Sequence, residues 1–172
     1  MKLLLITSVL FVLFQGNLGC SNEQKPIILN QEYDEVLHFQ FGKVKPKEPL
    51  SEEEEYRIKD FLQSPLPNKL NFSLPNKLIR MGYFMDSVPE KNFSKLNAIL
   101  ECDQLSESLP TECIPIYNDI IIFRKREEIV KIAQLCFRCG QANFIGPWPN
   151  MGSFGQKDEF EKLEALLEES ID

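Results

Sequence analysis

The sequence has a single histidine and none of the short motifs that mark common catalytic sites. It contains no H-E-x-x-H pair for zinc, no G-x-S-x-G nucleophile turn and no glycine-rich loop for phosphates or dinucleotides. A Ser-His-Asp or Cys-His mechanism would have to use His38, and the residues around it carry no nucleophile signature. We therefore interpret His38 as a structural or solvent-facing residue, and we expect neither a catalytic residue nor a cofactor.

Basic residues are too few to give the chain a positive surface. Lys and Arg number 19 against 26 Asp and Glu, for a net charge of −7. Proteins that bind nucleic acid or anionic lipid through charge need a basic patch, so we expect no nucleic-acid partner. The acidic run 52–55 directly follows Ser51, and Ser51 with Glu54 has the spacing of a helix capping box. We interpret this run as the start of a helix rather than as a cation site.

The sequence also lacks an apolar run long enough to span a bilayer. The run Leu3 to Phe14 is short and N-terminal, which is typical of a signal-peptide core. A Gly19-Cys20 pair follows it, and then a polar stretch. This arrangement resembles the signal of bacterial lipoproteins, in which the cysteine is acylated and becomes the first residue of the mature protein, although Asn17 stands where an aliphatic residue is usual.

That resemblance predicts a signal peptide over residues 1–19 and a lipidated tether over residues 20–32. It implies acyl chains on Cys20, a position in the cell envelope, and the membrane as a partner through those chains. Ordinary secretion without lipid is the alternative. Residues 33–172 then form the folded part, which has the length of one domain.

The stretch 113–139 holds the densest group of β-branched and aromatic residues. Ile114 to Phe123 and Ile129 to Phe137 predict two antiparallel strands, joined by a charged loop over 124–128. A loop of that length pairs Phe123 with Ile129 and Ile122 with Val130, and it brings Cys113 opposite Cys139 at the open end of the hairpin. A four-residue loop would shift every pair by one.

Periodicity places the other elements around this hairpin. Alternation predicts strands over 33–45 and 78–85, helical spacing predicts helices over 51–63, 87–100 and 158–168, and 140–155 has the composition of a loop. The order predicts an α+β domain, with a mainly antiparallel sheet, helices on one face and a C-terminal amphipathic helix.

Four cysteines remain besides Cys20, and an even number in an exported protein favours disulfides. They are Cys102, Cys113, Cys136 and Cys139. We favour the pairs Cys113–Cys139 and Cys102–Cys136. Two alternatives stay open: a metal site built from the same cysteines, and a redox dithiol at the C-x-x-C of Cys136 and Cys139.

Three further residues are candidates for a binding face. Asp119 lies within an apolar strand, where it either pairs with Lys131 across the hairpin or forms a functional face with Tyr117. Trp148 lies between two prolines, where it either covers the core or presents a ring to a partner.

A longer motif also runs through the hairpin. The pattern C-x-P-x-Y-x-D-x-I-I-F, a charged turn and then I-x-x-C-F-x-C resembles a segment of uncharacterised bacterial lipoproteins, in which an amphipathic helix follows. The matching residues are Cys113, Pro115, Tyr117, Asp119, Ile121, Ile122, Phe123, Ile132, Cys136, Phe137 and Cys139. The resemblance implies an envelope location and this fold, but no activity. We therefore expect a lipid-anchored, non-enzymatic module that binds an envelope protein, with a thiol-redox protein or a metal-binding protein as alternatives.

Overall fold

The computed structural model describes residues 32–43, 49–100, 112–149, 151, 154–155 and 157–169. Within them the chain forms a five-stranded antiparallel sheet and four α-helices, which confirms the predicted α+β class and the C-terminal helix. The strands, in the spatial order β2-β1-β3-β4-β5, are β1 (Glu35–Phe41), β2 (Tyr83–Ser87), β3 (Asp119–Lys125), β4 (Glu128–Cys136) and β5 (Gln141–Ile145). The helices are α1 (Glu52–Gln63), α2 (Leu74–Arg80), α3 (Phe93–Leu100) and α4 (Glu159–Glu168). The predicted signal peptide, Cys20 and Cys102 lie outside the described residues.

The β3–β4 hairpin turns more tightly than its charged sequence predicts. Arg126 and Glu127 alone form the turn, with φ angles of 49° and 70°, so the predicted five-residue loop is wrong. Ile122 pairs with Ile132 instead of Val130, after an irregularity between Phe123 and Arg124. The displacement is two positions, so each side chain stays on the face that alternation assigns to it.

Side chains from a neighbouring strand hold this turn in a backbone conformation that favours glycine. The guanidinium of Arg124 donates to the carbonyl oxygen of Glu127 at 3.0 and 3.1 Å, and to the carboxylate of Glu35 at 2.6 Å. The N–H of Arg126 donates to the carboxylate of Asp34 at 3.0 Å. The turn is therefore fixed by contacts that a local sequence pattern does not contain.

Helices cover both faces of the sheet, whereas the prediction placed them on one. The central strands are apolar on both sides, as in β3, where Ile121 and Phe123 face one way and Ile120 and Ile122 face the other. We call the two sides the α3/α4 face and the α1/α2 face after the helices that pack on them. The α3/α4 core contains Tyr33, Val36, Val88, Phe93, Leu96, Leu100, Ile121, Phe123, Ala133, Leu135, Phe160, Leu163, Leu166 and Leu167. The α1/α2 core contains Leu37, Phe39, Leu62, Leu74, Leu78, Tyr83, Ile120, Ile122, Ile129, Ile132 and Ile145.

Several element boundaries differ from the predictions, and β3 begins at Asp119 rather than at Ile114. Helix α2 occupies the first part of the predicted 78–85 strand, and β2 begins only after Gly82, at a φ of 90°. Strand β5 lies inside the predicted 140–155 loop, where it pairs with β4. Helix α3 begins at Phe93, after a 3-10 turn over Glu90–Asn92, because Ser87 is the last residue of β2.

Candidate functional site

The three predicted binding-face residues do not share a surface. Tyr117 and Asp119 are buried at the start of β3, each with 6% of its surface exposed. Trp148 packs near the other end of β3, with ring centroids 5.3 Å from Phe123 and 5.0 Å from Phe144. Its indole N–H donates to the carbonyl oxygen of Ile145 at 3.0 Å. Trp148 thus covers the α3/α4 core, which was one of its two predicted roles.

The partner of Asp119 is His38, at 2.8 Å between Nε2 and Oδ1, and both side chains are buried. The predicted pairing of Asp119 with Lys131 is wrong. Lys131 lies at the turn end of the hairpin, where it pairs with Glu32 at 2.6 Å and lies 5.1 Å from the Trp148 ring centroid. Asp119 lies at the opposite end of β3, beside β1, and β1 carries His38.

A buried His-Asp pair can orient an imidazole for base catalysis, but catalysis also needs a nucleophile and access for a substrate. Among the described residues, no hydroxyl or thiol forms a hydrogen bond with His38. The neighbouring phenol of Tyr83 donates to the carbonyl oxygen of Tyr117 at 3.0 Å. Burial first, and the charge of Asp119 second, raise the pKa of Tyr83, so this phenol stays protonated. The pair therefore fits a structural role that links β1 to β3.

The cysteines form one of the two predicted bridges. Cys113 and Cys139 are joined by a disulfide with 5.8 Å between their Cα atoms, which confirms that pairing. Cys136 is a free, buried thiol that accepts a hydrogen bond from the N–H of Ile116 at 3.3 Å. Its predicted partner, Cys102, lies outside the described residues. Cys136 is the last residue of β4, whereas Cys139 ends the 3-10 turn Phe137–Cys139 that follows and is bonded to Cys113.

This arrangement bears on the alternative readings of the cysteines. The C-x-x-C ends a strand, and Cys139 is bonded to Cys113 rather than to Cys136. Cys113 and Cys139 cannot act as thiolate ligands while they are joined. Within the described part of the chain there is no group of three His, Cys, Asp or Glu residues that could hold a metal ion.

A groove that no sequence motif marks lies between α1, α2 and β2. Its volume is about 1310 Å³, and its wall is mostly apolar. The apolar side chains are Phe41, Leu50, Ile58, Phe61, Pro65, Leu66, Pro67, Ile79, Met81, Tyr83, Phe84 and Met85, and the charged ones are Glu54, Arg57, Asp60, Lys77 and Arg80. We call this feature the groove.

The groove exists because α1 packs along only part of its length. Leu62 is the one buried residue of this 12-residue helix, and Tyr56 is 71% exposed. The predicted capping box is present at the start of the helix: the N–H of Glu54 donates to the Ser51 hydroxyl, and the Ser51 N–H donates to the Glu54 carboxylate. These bonds to Ser51 hold the pKa of Glu54 below its usual value.

The far end of α1 is held by the chain that follows it. The N–H of Leu66 donates to Oε1 of Gln134 at 2.6 Å, and Asn143 donates to the same oxygen at 2.7 Å. Gln134 is fully buried in β4, so this network ties residues 64–67 to the sheet. The C-terminal end of α1 is therefore tied to the sheet, whereas the hydrogen bonds of the cap at its start are internal to the helix.

Three cations and two carboxylates line the groove, so its net charge is positive although the whole chain is acidic. The ammonium of Lys77 lies 4.6 Å from the ring centroid of Phe61, and within the described residues neither Lys77 nor Arg80 has a carboxylate within 4.0 Å. Arg57 makes only an exposed contact with Glu53, at 4.0 Å. The groove therefore combines apolar walls with cations that are available to a ligand.

The floor of the groove includes the outer edge of the sheet. Strand β2 is the last strand on its side. The N–H of Val88 donates to the carbonyl oxygen of Val36, so the hydrogen-bonded pairs of this ladder are the even-numbered β2 residues. The N–H and C=O of Met85 consequently point away from β1. The side chain of Met85 is also 43% exposed.

No protein-family model, curated protein or solved structure matches this chain. Among the described residues, no helix has both the length and the apolar character needed to cross a bilayer. The resemblance to uncharacterised lipoproteins stays a prediction. Sequence reasoning missed the groove because its residues come from three separate elements, and only the incomplete apolar stripe of α1 signals a surface left uncovered.

Proposed function

We propose that the protein is a lipid-anchored, non-enzymatic binding module of the cell envelope that holds an apolar partner in the groove. The observation that carries this proposal is the groove itself, an open apolar cleft with available cations beside an exposed strand edge. Small-molecule sites typically occupy about 300–1,000 Å³. A groove of about 1310 Å³ suits an elongated partner better than a compact metabolite.

The chemistry of the lining supports binding rather than catalysis. Among the described residues, the groove is lined by neither histidine nor cysteine. Its two carboxylates are Glu54, which is engaged by the helix cap, and Asp60, which is exposed. Burial holds the phenol of Tyr83 in its protonated form. The buried His38–Asp119 pair points to the opposite face of the sheet. The lining therefore offers no imidazole or thiol for base or nucleophilic catalysis.

The thiol-redox and metal-binding alternatives receive less support. A redox role would use a reversible bond between Cys136 and Cys139, yet Cys139 is already bonded to Cys113. A zinc site would need several free thiolates, and Cys136 is the one free thiol among the described residues. The disulfide is better interpreted as a staple across the base of the hairpin.

The groove can be tested with an anionic apolar dye, anilinonaphthalene sulfonate, which matches its walls and its cations. Ile79 lines the groove and is 49% exposed, whereas Ile114 is 69% exposed beside the disulfide. We expect Ile79→Asp to weaken dye binding by at least about tenfold, because it adds a negative charge to the apolar wall. The matched variant Ile114→Asp should bind like the wild type. Equal binding by Ile79→Asp and the wild type would contradict the proposal.

The anchor requires a separate measurement. Mass spectrometry of the mature protein should find an N-terminal Cys20 that carries acyl chains, and Cys20→Ser should release the protein from the membrane fraction. If Cys20 of the mature protein were unmodified, the proposed lipid anchor would be refuted, and the proposal that the groove binds a partner would be unaffected.

A further inference from the structure

We propose that the occupant of the groove is an extended peptide segment, apolar with an acidic residue, that adds to the sheet as a sixth strand along the free edge of β2. This inference rests on the proposed function, since it names the class of partner that the groove receives. Strand addition is a known mode of peptide recognition, in which backbone hydrogen bonds give affinity and side-chain pockets give specificity.

The backbone of β2 supplies the first argument. The N–H and C=O of Met85 point outward from the sheet, and within the described residues neither forms a hydrogen bond. Ser87 has the same outward orientation, but its N–H is already satisfied by the Asp86 carboxylate at 2.8 Å. The free stretch of edge therefore ends before Ser87 and centres on Met85. One residue of an added strand can make both hydrogen bonds with Met85.

The side chains around that edge supply the second argument. Alternate residues of an added strand would face the α1/α2 side, where the apolar wall of the groove stands, with Ile58, Phe61, Ile79 and Met81. The residues between them would meet Phe84 on the other side of the sheet, where Lys43 lies 4.7 Å from its ring centroid. The pattern that fits is a strand whose side chains toward the groove are apolar.

Charge identifies the third feature of the peptide. Lys77 and Arg80 line the groove without carboxylate partners in the described chain, and Arg57 of α1 lines it too, with only an exposed contact to Glu53. A partner with an acidic side chain, or a C-terminal carboxylate, would pair with these cations. A basic segment would be repelled.

Other occupants satisfy fewer of these features. An acyl chain would fill the apolar wall, but it offers no hydrogen bonds to the backbone of Met85.

The test uses the full disulfide-bonded chain as bait for a displayed library of random-sequence peptides. We expect selected peptides to alternate apolar residues and to carry an acidic residue, and to bind when labelled and measured by fluorescence anisotropy. Met85→Pro removes the outward N–H and the Met85 side chain but no donor of the β1–β2 ladder, so it should weaken peptide binding by at least about tenfold. Met85→Leu changes the side chain alone, so the loss in Met85→Pro should clearly exceed any loss in Met85→Leu.

Amide hydrogen exchange gives a readout that does not depend on a variant that folds poorly. The Met85 amide of the wild type should exchange rapidly without peptide and become protected with it. Unchanged exchange at Met85, or full binding by Met85→Pro, would overturn strand addition. If Ile79→Asp still weakened dye binding, that result would refute strand addition but not the proposed function. If Ile79→Asp left dye binding unchanged, both proposals would be refuted.

Two further outcomes would replace the peptide with another occupant. A concentration-dependent dimer in sedimentation that Met85→Pro abolishes would mean that the edge pairs with a second copy of the chain. A protein that selects no peptide from the library, and from which a long-chain fatty acid displaces the dye, would instead hold an acyl chain in the groove. Either result overturns the peptide proposal.

Discussion

The two faces of the sheet are built from the same strands but are covered to very different extents. On the α3/α4 face, α4 buries Phe160, Leu163, Leu166 and Leu167 along its whole length. A series of edge-to-face ring contacts continues this core from Phe137 through Phe160, Phe154 and Phe144 to Trp148. On the α1/α2 face, α1 buries one residue, and the groove opens beside it.

The α3/α4 face therefore contributes mainly to stability, whereas the α1/α2 face leaves room for binding. A helix that buries a full stripe contributes apolar burial at every turn, whereas a helix that buries one residue, as α1 does, leaves surface for a partner. The α3/α4 face leaves no room even for a side chain at Gly155, where a Cβ would lie 2.1 Å from the ring of Phe160. We therefore expect substitutions on the α3/α4 face to affect folding, and substitutions in the groove to affect binding.

The largest expected effect on stability comes from the α3/α4 face. Leu163→Ala should reduce the free energy of unfolding by about 2–5 kcal/mol, because Leu163 is fully buried in the α3/α4 core. The matched change on the α1/α2 face, Ile79→Ala, should reduce the free energy of unfolding by less than about 1 kcal/mol, because Ile79 is half exposed. Urea unfolding of the two variants measures both values. Similar costs for the two would show that the faces do not differ in this way.

The disulfide should have the next largest effect, and it should act on both faces together. It joins residues separated by 26 positions and closes the base of the β3–β4 hairpin, which carries both cores. Cys113→Ala with Cys139→Ala should therefore cost about 3 kcal/mol. Cys136→Ala serves as the control, since it removes a free thiol and no bridge. A stability that is unchanged by reductant in the wild type would contradict this role.

Alternation and capping were enough to predict most of the fold. The α+β class, the closing helix and the start of α1 follow from local patterns, because a strand with period-two alternation and a helix with a cap each carry their signal within a few residues. The β3–β4 turn does not, because Arg126 and Glu127 adopt positive φ angles that their own sequence does not favour. Strand β5 is short and bordered by glycines, so its pairing with β4 decides its structure.

The candidate sites depended even more on long-range contacts. Within one hairpin, the Cys113–Cys139 pairing was predictable from an approximate register. The His38–Asp119 pair joins residues 81 positions apart, and it required knowing that β1 lies beside β3. The groove required knowing where α1 fails to pack, which no spacing of residues reveals. Sequence patterns thus located buried residues, but they did not locate the exposed apolar surface of the groove.

A smaller effect is expected at the N-terminal cap of α1, the helix that lines the groove. Ser51→Ala removes the side-chain acceptor for the Glu54 N–H and should cost about 1 kcal/mol. Because α1 has few other contacts, the loss should appear first as faster amide exchange within α1, with the α3/α4 core still protected. The exposed change Ser94→Ala in α3 is the control. Equal exchange rates in α1 for the two variants would mean that packing rather than the cap positions the helix.

The smallest effect is a pH dependence confined to the groove. Hydrogen bonds from Ser51 lower the pKa of Glu54 in the folded protein below its ordinary value of 4.5. A lowered pKa means that the folded state favours the ionised carboxylate, so its stabilising contribution is complete above pH 4.5 and is lost as the pH falls through the lowered value. The protection factors of the α1 amides, which are corrected for the intrinsic exchange rate at each pH, should therefore fall on acidification before those of the α3/α4 core. Glu54→Gln removes the titrating group and should flatten this step, and a step that persists in Glu54→Gln would assign it to another carboxylate.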